Sequence, residues 1–298
     1  MGEIAELAPE QARDLLPAWL TAHVDCPTSE ASGRIEQALY RVIETIPGED
    51  LREALRLFGS LGSSYGVQPA HSAARKIGRA FMSAVIRDEN VEGAHQLRNV
   101  VGRPQLWICN HLSYIDTQIT DTLLARHNVP DLDDLLVIAG PKVYNEPFRR
   151  FAALAFNTLK TPQSTQLASN EAPLSPREVA RHSIEGMQTA SRWHGPVLLY
   201  PEGTRSPSGQ LGSFVRAAGR YTRRPGLTIV PMAVLGTHQF FNRDERMRPG
   251  PVSIHIGVPF EAGDAGSAKL AGLEEAWRRV RALLPVGYRP CPDTPPCL

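Results

Sequence analysis

The sequence predicts an α/β fold: a central mixed sheet flanked by helices and preceded by a helical N-terminal unit. Three observations lead there. Apolar residues recur at helical spacing through the first 87 positions. Short apolar runs of strand length follow from residue 105 onward, and stretches able to form helices lie between them. Strands alternating with helices are the pattern of an α/β layer.

In chain order, Ile35, Leu39, Val42, Ile43 and Ile46 mark one helix face, and Leu51, Leu55, Leu57, Phe58 and Leu61 a second. Ile77, Phe81, Val85 and Ile86 mark a third, with Arg75, Lys76, Arg79 and Arg87 around it. No strand pattern is visible before residue 100. Strands are expected at Gln105–Cys109, 135–139, 196–200 and Thr228–Leu235, and Val252, Ile254, Ile256 and Val258 alternate as in a half-buried strand. Ser175-Pro176-Arg177-Glu178 opens a helix, with Ser as N-cap, Pro at the first helical position and Glu three residues on. A closing helix over 270–284 stops at Pro285, and 157–173 reads as a long polar loop. The expected organisation is a helical unit over 1–87, an α/β domain over 88–285, and a loose Pro-rich tail over 286–298.

Composition excludes several classes of protein. The chain has 298 residues, with 32 Lys plus Arg against 31 Asp plus Glu and a formal charge of +1. That balance lacks the basic excess of a nucleic-acid binder. Hydrophobic residues at 42% and charged residues at 21% are globular values. No run approaches the roughly 18 apolar residues of a spanning helix, which leaves peripheral membrane contact open. The first residues lack a signal pattern, and Glu6 stands where myristoylation requires Ser or Thr. The expected location is cytoplasmic, or peripheral at the inner face of the membrane. Cys26, Cys109, Cys291 and Cys297 form no C-x-x-C pair, and Cys109 reads as core. Only Lys76, Lys142, Lys160 and Lys269 are lysines, so each can be considered singly.

Two turns directly after apolar runs hold the candidate chemistry. The first is Asn110-His111-Leu112-Ser113-Tyr114-Ile115-Asp116. Alone, H-x4-D is a cheap pattern, and Ser113 with Asp116 fits a helix-capping box. A functional reading makes His111 a base oriented by Asp116. Five residues on an ideal helix stand about 140° apart, so the two can meet only if His111 lies in the turn before a helix and Asp116 in its first turn. A neutral imidazole held by a carboxylate is a competent base for a hydroxyl. The second turn is Tyr200-Pro201-Glu202-Gly203-Thr204-Arg205-Ser206. Ile229-Val230-Pro231-Met232 adds a strand with an internal proline, which suggests an edge, a bulge or a site.

Together and in this order, the three resemble the glycerolipid acyltransferase family, the bacterial lysophosphatidate and glycerol-3-phosphate acyltransferases and their relatives. The resemblance spans roughly residues 90 to 260. His111 and Asp116 stand in the N-H-x4-D block, Glu202 to Arg205 in the P-E-G-T-R block, and Pro231 in the V-P block. The family's second block corresponds here to Ala139-Gly140-Pro141-Lys142, Phe148-Arg149-Arg150-Phe151 and the residues from Phe156 to Lys160. Its phosphate-holding Arg is replaced by Lys160, or else by Lys142 in the style of the soluble plastid-type enzymes. Lysine is a point charge without the guanidinium fork. His111 and Glu202 are 91 positions apart, more than in the compact lysophosphatidate enzymes, and the extra length falls after Lys160.

The resemblance implies acyl transfer from acyl-CoA or acyl-carrier protein to a hydroxyl, with no acyl-enzyme, metal or cofactor. His111 would deprotonate the hydroxyl, and Asp116 would hold its useful tautomer. Glu202, Gly203 and Thr204 would shape the acceptor pocket, and Arg205 with Lys142 or Lys160 would bind phosphate. The family default acceptor is 1-acylglycerol 3-phosphate; glycerol 3-phosphate and other lyso-lipids are the alternatives. A hydrolase is the rival chemistry, because Gly62-Ser63-Ser64-Tyr65-Gly66 fits G-x-S-x-G. That motif needs a strand before the serine and a helix after it, whereas helix-like residues precede Ser64. A non-catalytic lipid-binding module is a third reading, opposed by the intact His111, Asp116, Glu202 and Arg205. The N-terminal helices could cover an acyl chain, dock on a bilayer or form an oligomer contact. Arg223-Arg224 and the stretch 243–248 could meet anionic lipid or lie in solvated loops.

Overall fold

A computed structural model describes residues 7–162, 174–241, 246–266 and 268–298. The first six residues, most of the expected polar loop and part of the 243–248 stretch lie outside the described residues.

The chain opens with α1 (Pro9–Thr21), α2 (Ser29–Glu44) and α3 (Gly48–Ser60), then strand β1 (Gly66–Gln68) and α4 (Ser72–Val85). β2 (Ile86–Glu92), α5 (Ala94–Arg98), β3 (Gln105–Cys109), α6 (Asp116–Arg126), β4 (Leu136–Ala139), α7 (Pro147–Ala153) and β5 (Asn157–Lys160) follow. The remainder is α8 (Pro176–Arg192), β6 (Val197–Leu199), β7 (Thr228–Leu235), β8 (Gly250–Ile256), β9 (Phe260–Glu261) and α9 (Ala271–Leu283). Local chemistry sets several of these boundaries. Thr28 accepts the Ala31 N–H at the start of α2, and Ser175 and Glu178 form the reciprocal capping box of α8.

The strands form one mixed sheet in the order β1-β5-β4-β6-β3-β7-β8-β2, with β9 paired to β7. β5, β4, β6, β3 and β7 run parallel, so their carboxyl ends share one edge. Alternation along β3 divides the core. Leu106 and Ile108 face Leu273, Ala276, Trp277 and Val280 of α9. Trp107 and Cys109 face the opposite way, into a core built largely from the N-terminal helices. Ile35, Leu39, Ile43, Leu55, Ile77 and Phe81 are buried there, so these apolar helix faces are covered by the protein itself. Among the described residues no helix is long and apolar enough to cross a membrane.

Two features of the topology matter for function. β3 and β6 are neighbours, yet the chain leaves β3 towards β4 on one side and leaves β6 towards β7 on the other. Connections departing in opposite directions open a crevice at the carboxyl ends of the two strands. Pro231 in β7 sits where the strand's antiparallel partner changes from β9, paired at Thr228 and Ile229, to β8, paired from Met232. A residue without an N–H is tolerated at that gap.

The structure corrects several sequence expectations. Strands do occur before residue 100: β1 has three residues, and β2 exposes Arg87, Asp88, Glu89 and Asn90. Very short or polar edge strands carry no alternating signal. β5 was expected to be loop because it reads Asn-Thr-Leu-Lys, but Thr158, Leu159 and Lys160 are buried. Its polar atoms find internal partners, with Tyr144 Oη donating to Thr158 Oγ1 at 3.0 Å and Lys160 Nζ donating to the Gly62 carbonyl at 2.6 Å. Val258 lies beyond the end of β8 and is exposed. The end of the tail is pinned, since the Phe214 N–H donates to Pro296 O and the Leu298 N–H to Phe214 O, both at 2.9 Å.

A buried ion cluster fastens α4 to α6. Arg79 grips Asp121 with two hydrogen bonds of 2.7 and 2.8 Å. Arg75 lies 3.2 Å from the same carboxylate, donates to Leu132 O at 2.5 Å and covers the Phe156 ring. Removing one member leaves the others charged and desolvated. Asp121→Ala should therefore cost about 3–5 kcal/mol in urea unfolding. Replacing all three with Arg75→Met, Arg79→Met and Asp121→Leu should recover much of that loss.

Candidate active site

The site grows out of the turn after β3. Asn110 ends the strand by pairing sideways: its Nδ2 donates to Val234 O at 2.9 Å, and its Oδ1 accepts the Val234 N–H at 2.8 Å. This ties the turn to β7 and fixes where His111 leaves the sheet. Asp116 begins α6 and turns back into the loop. Its Oδ2 accepts the backbone N–H groups of Leu112 and Ser113 at 2.7 and 2.9 Å. The same oxygen lies 2.8 Å from His111 Nδ1. Its Oδ1 accepts from Thr237 Oγ1, just beyond β7, at 2.5 Å. An ionised carboxylate can only accept, so a neutral imidazole held here carries its proton on Nδ1 and its lone pair on Nε2. Asp116 thus makes the turn and orients the imidazole.

Glu202, in the turn after β6, holds the same loop from the other side of the crevice. Its Oε1 accepts the His111 N–H and its Oε2 the Gly212 N–H, both at 2.7 Å. The Ser206 N–H in turn donates to His111 O at 2.8 Å. A Cβ at position 212 would stand 3.0 Å from Glu202 Oε2, so a side chain there would crowd the bond. Gly203 turns the chain at φ +72°, close against Val215. The Tyr200 ring stacks on His111 with centroids 4.5 Å apart and planes 26° from parallel. The Tyr200 and Thr117 hydroxyls are 3.0 Å apart. Burial, with Asp116 close by, pushes the Tyr200 phenol well above its ordinary range, so the ring beneath His111 stays neutral.

A cationic feature stands beside this pair. Arg205 lies over the Tyr114 ring, its guanidinium carbon 3.6 Å from the centroid, and Arg149 of α7 lies 3.5 Å from the same centroid. An N–H-stabilised turn, a histidine with one nitrogen fixed by a carboxylate and two nearby guanidinium groups suit proton removal from a hydroxyl next to an anionic substrate.

Residues 88–235 match the family model described as Acyltransferase. The chain belongs to this acyltransferase family. It is similar to a 1-acyl-sn-glycerol-3-phosphate acyltransferase of Cocos nucifera, 28% identical over 167 residues, covering 55% of this chain and 48% of that protein. An enzyme with the same description from Pseudomonas aeruginosa is 33% identical over 84 residues, covering 27% of this chain and 33% of that protein. The matched part thus spans half or less of these relatives. The crystal structure of a 1-acyl-sn-glycerophosphate acyltransferase from Thermotoga maritima aligns with a TM-score of 0.49 at 18% identity, covering 91% of this chain and 96% of that one.

The structure of this family member brings together His111, Asp116 and Glu202 by direct hydrogen bonds, and sets Arg205 on Tyr114 within the His111–Asp116 turn. Gly203 and Thr204 are exposed at the rim. Glu202 is 8% exposed, and both of its oxygens hold backbone. Lys142 follows β4 in the turn Pro141–Tyr144, half-buried at the same sheet edge. Lys160 is only 3% exposed, with its ammonium on Gly62 O and 4.7 Å from the Tyr65 ring centroid. It stands three strand positions from β3, about 14 Å at the usual spacing. Ser64 is exposed in the turn between α3 and β1. That order, helix then strand, is the reverse of a nucleophile elbow. Tyr200, Thr237, Gly212, Tyr114 and Arg149 complete the surroundings without having been singled out. Tyr200 adjoins a recognised motif, whereas Thr237 is brought in solely by strand order.

Burial pushes the Glu202 carboxyl up to about 7, reinforced by Asp116 and opposed by the two N–H donors and His111. Between the ordinary carboxylate value of 4.5 and about 7, the folded chain holds a proton that the unfolded chain has released, so stability falls as pH rises. Below that window both states are protonated, and above it both are ionised. Glu202→Gln, which keeps the neutral form, should gain on the wild type by up to about 3 kcal/mol across the window. Paired urea titrations at pH 4.5 and 8 check this, and an unchanged difference between the two proteins would contradict it.

Proposed function

We propose that this chain is an O-acyltransferase that moves a fatty acyl group from a thioester, acyl-CoA or acyl-carrier protein, to the free hydroxyl of 1-acylglycerol 3-phosphate. The observation that carries the proposal is the 2.8 Å contact between His111 Nδ1 and a fully engaged Asp116, placed at the crevice between β3 and β6. The descriptions of the relatives, all 1-acyl-sn-glycerol-3-phosphate acyltransferases, support the choice of reaction and acceptor.

In this reading the acceptor hydroxyl gives its proton to His111 Nε2 as its oxygen attacks the thioester carbonyl carbon. The tetrahedral oxyanion collapses, the C–S bond breaks, and the sulfur leaves with the proton returned by the imidazolium. An ester and a free thiol result. Asp116 favours the imidazolium by charge and fixes the ring. The Tyr200 face adds a cation–π contribution once the ring is charged. Glu202 acts through the backbone, setting the position of His111, and Arg205 meets the acceptor's phosphate. Attack is direct, so no side-chain nucleophile is acylated.

Release of free thiol from acyl-CoA in the presence of 1-acylglycerol 3-phosphate, with products read by mass spectrometry, tests the reaction. His111→Ala should lower kcat by about 10²–10⁴-fold. Retained turnover in that variant would remove His111 from the mechanism. The role of Tyr200 separates into ring and hydroxyl. Tyr200→Phe should stay within about threefold of the wild type, while Tyr200→Leu should lower kcat by about tenfold with KM unchanged.

A further inference from the structure

Tyr288 lies in the short turn Val286–Tyr288 beyond α9, outside every motif considered so far. It is half-buried and packs against both parts of the core. Two of its atoms hold the two segments that in turn hold the histidine turn. Its carbonyl accepts the Leu211 N–H at 2.9 Å, one residue before Gly212, whose N–H binds Glu202. Its phenol oxygen accepts the Gly236 N–H at 3.1 Å, one residue before Thr237, whose hydroxyl binds Asp116. The ring also meets the His238 ring edge to face, with centroids 5.4 Å apart.

The bond at Gly236 is the more consequential of the two. The chain turns out of β7 there with φ +86°, and a Cβ would collide with the Pro251 carbonyl. The phenol oxygen fixes this turn by its N–H, immediately before the threonine. A hydrogen bond weakens steeply as its geometry departs from alignment, and the 2.5 Å contact of Thr237 Oγ1 with Asp116 Oδ1 leaves little room for movement. A site is held to useful precision only when the residues behind it are themselves locked. Tyr288 supplies that lock from a distant part of the sequence, with a rigid side chain that has few rotamers to lose.

We propose that Tyr288 is a positioning residue for the His111–Asp116 pair: its phenol oxygen fixes the turn at Gly236, and through that turn the Thr237 hydroxyl on Asp116. The proposal adds a residue to the acyl-transfer reading and rests on that reading for its kinetic arm alone.

Tyr288→Phe removes one oxygen and keeps the ring, the His238 contact and the backbone bond to Leu211. The test compares full-length wild type, Tyr288→Phe, Thr237→Val and the double variant, with folding checked by circular dichroism and rates taken well below melting. Tyr288→Phe should lower kcat by about three- to tenfold, with KM for acyl-CoA and for 1-acylglycerol 3-phosphate within about twofold. In the Thr237→Val background the same substitution should change kcat by less than about twofold, because the link through which it acts is already gone. An unchanged kcat in Tyr288→Phe, or an equal fall in both backgrounds, would overturn the proposal.

A second arm needs no activity. Hydrogen exchange read by mass spectrometry should be about fivefold faster in Tyr288→Phe for the segment 110–117, where Asp116 holds the Leu112 and Ser113 N–H groups. The α2 segment should exchange as in the wild type. Faster exchange confined to 235–238 overturns the proposal, and so does an equal rise throughout the chain, which marks a tyrosine that only stabilises the fold. If the wild type transfers no acyl group, the proposed function fails, and the exchange arm alone decides the role of Tyr288. The same arm decides should Thr237→Val not fold.

Discussion

Asp116 is the group on which the candidate site depends. Its two oxygens collect the N–H groups of Leu112 and Ser113, the His111 ring nitrogen and the Thr237 hydroxyl. Those donors belong to the turn after β3 and to the segment after β7, and Asp116 itself starts α6. One buried carboxylate therefore closes the turn, begins the helix and joins two neighbouring strand ends. Capping and catalysis are not competing explanations for it. The N–H donors compensate the buried charge, and that compensated charge can then fix the imidazole.

Glu202 shows what the arrangement costs. It sits at the end of β6, buried and close enough to Asp116 for the two charges to oppose one another. Two backbone N–H donors do not cancel the desolvation, and the carboxyl remains protonated to about pH 7. A residue chosen for stability alone would be neutral. The carboxylate earns its place by reaching across the crevice to the His111 N–H and the Gly212 N–H together, which a shorter or singly accepting side chain cannot do. Local destabilisation in exchange for a fixed geometry is the usual bargain at a functional site.

Much of this was legible from the chain, and the physical reason differs by residue. His111, Asp116 and Glu202 follow short apolar runs, and the carboxyl ends of buried strands are where an α/β layer places its chemistry. The helices of the first 87 residues announce themselves through their buried faces. β1, β2 and β5 do not: the first is too short, the second lies at a polar edge, and the third hides a polar sequence by satisfying its side chains internally. Thr237 was illegible for another reason. Its proximity to the histidine turn comes from strand order, and no local pattern encodes that.

The two kinds of cation bear this out. Lysines are scarce in this chain, four among 32 cationic side chains, and scarcity drew attention to Lys160 at the position a phosphate ligand would occupy. Position along the sequence says nothing about which way a side chain leaves its strand. At the end of β5 the lysine ammonium lies 4.7 Å from the Tyr65 ring centroid and 5.6 Å from that of Tyr144, and it donates to a backbone carbonyl. That setting suits a compact ammonium and has no use for a planar fork. Two guanidinium groups, those of Arg149 and Arg205, lie instead against the Tyr114 ring in the histidine turn. Residue 160 thus combines the position of a family motif with a buried side chain bound to backbone, and position in the sequence alone does not foretell that.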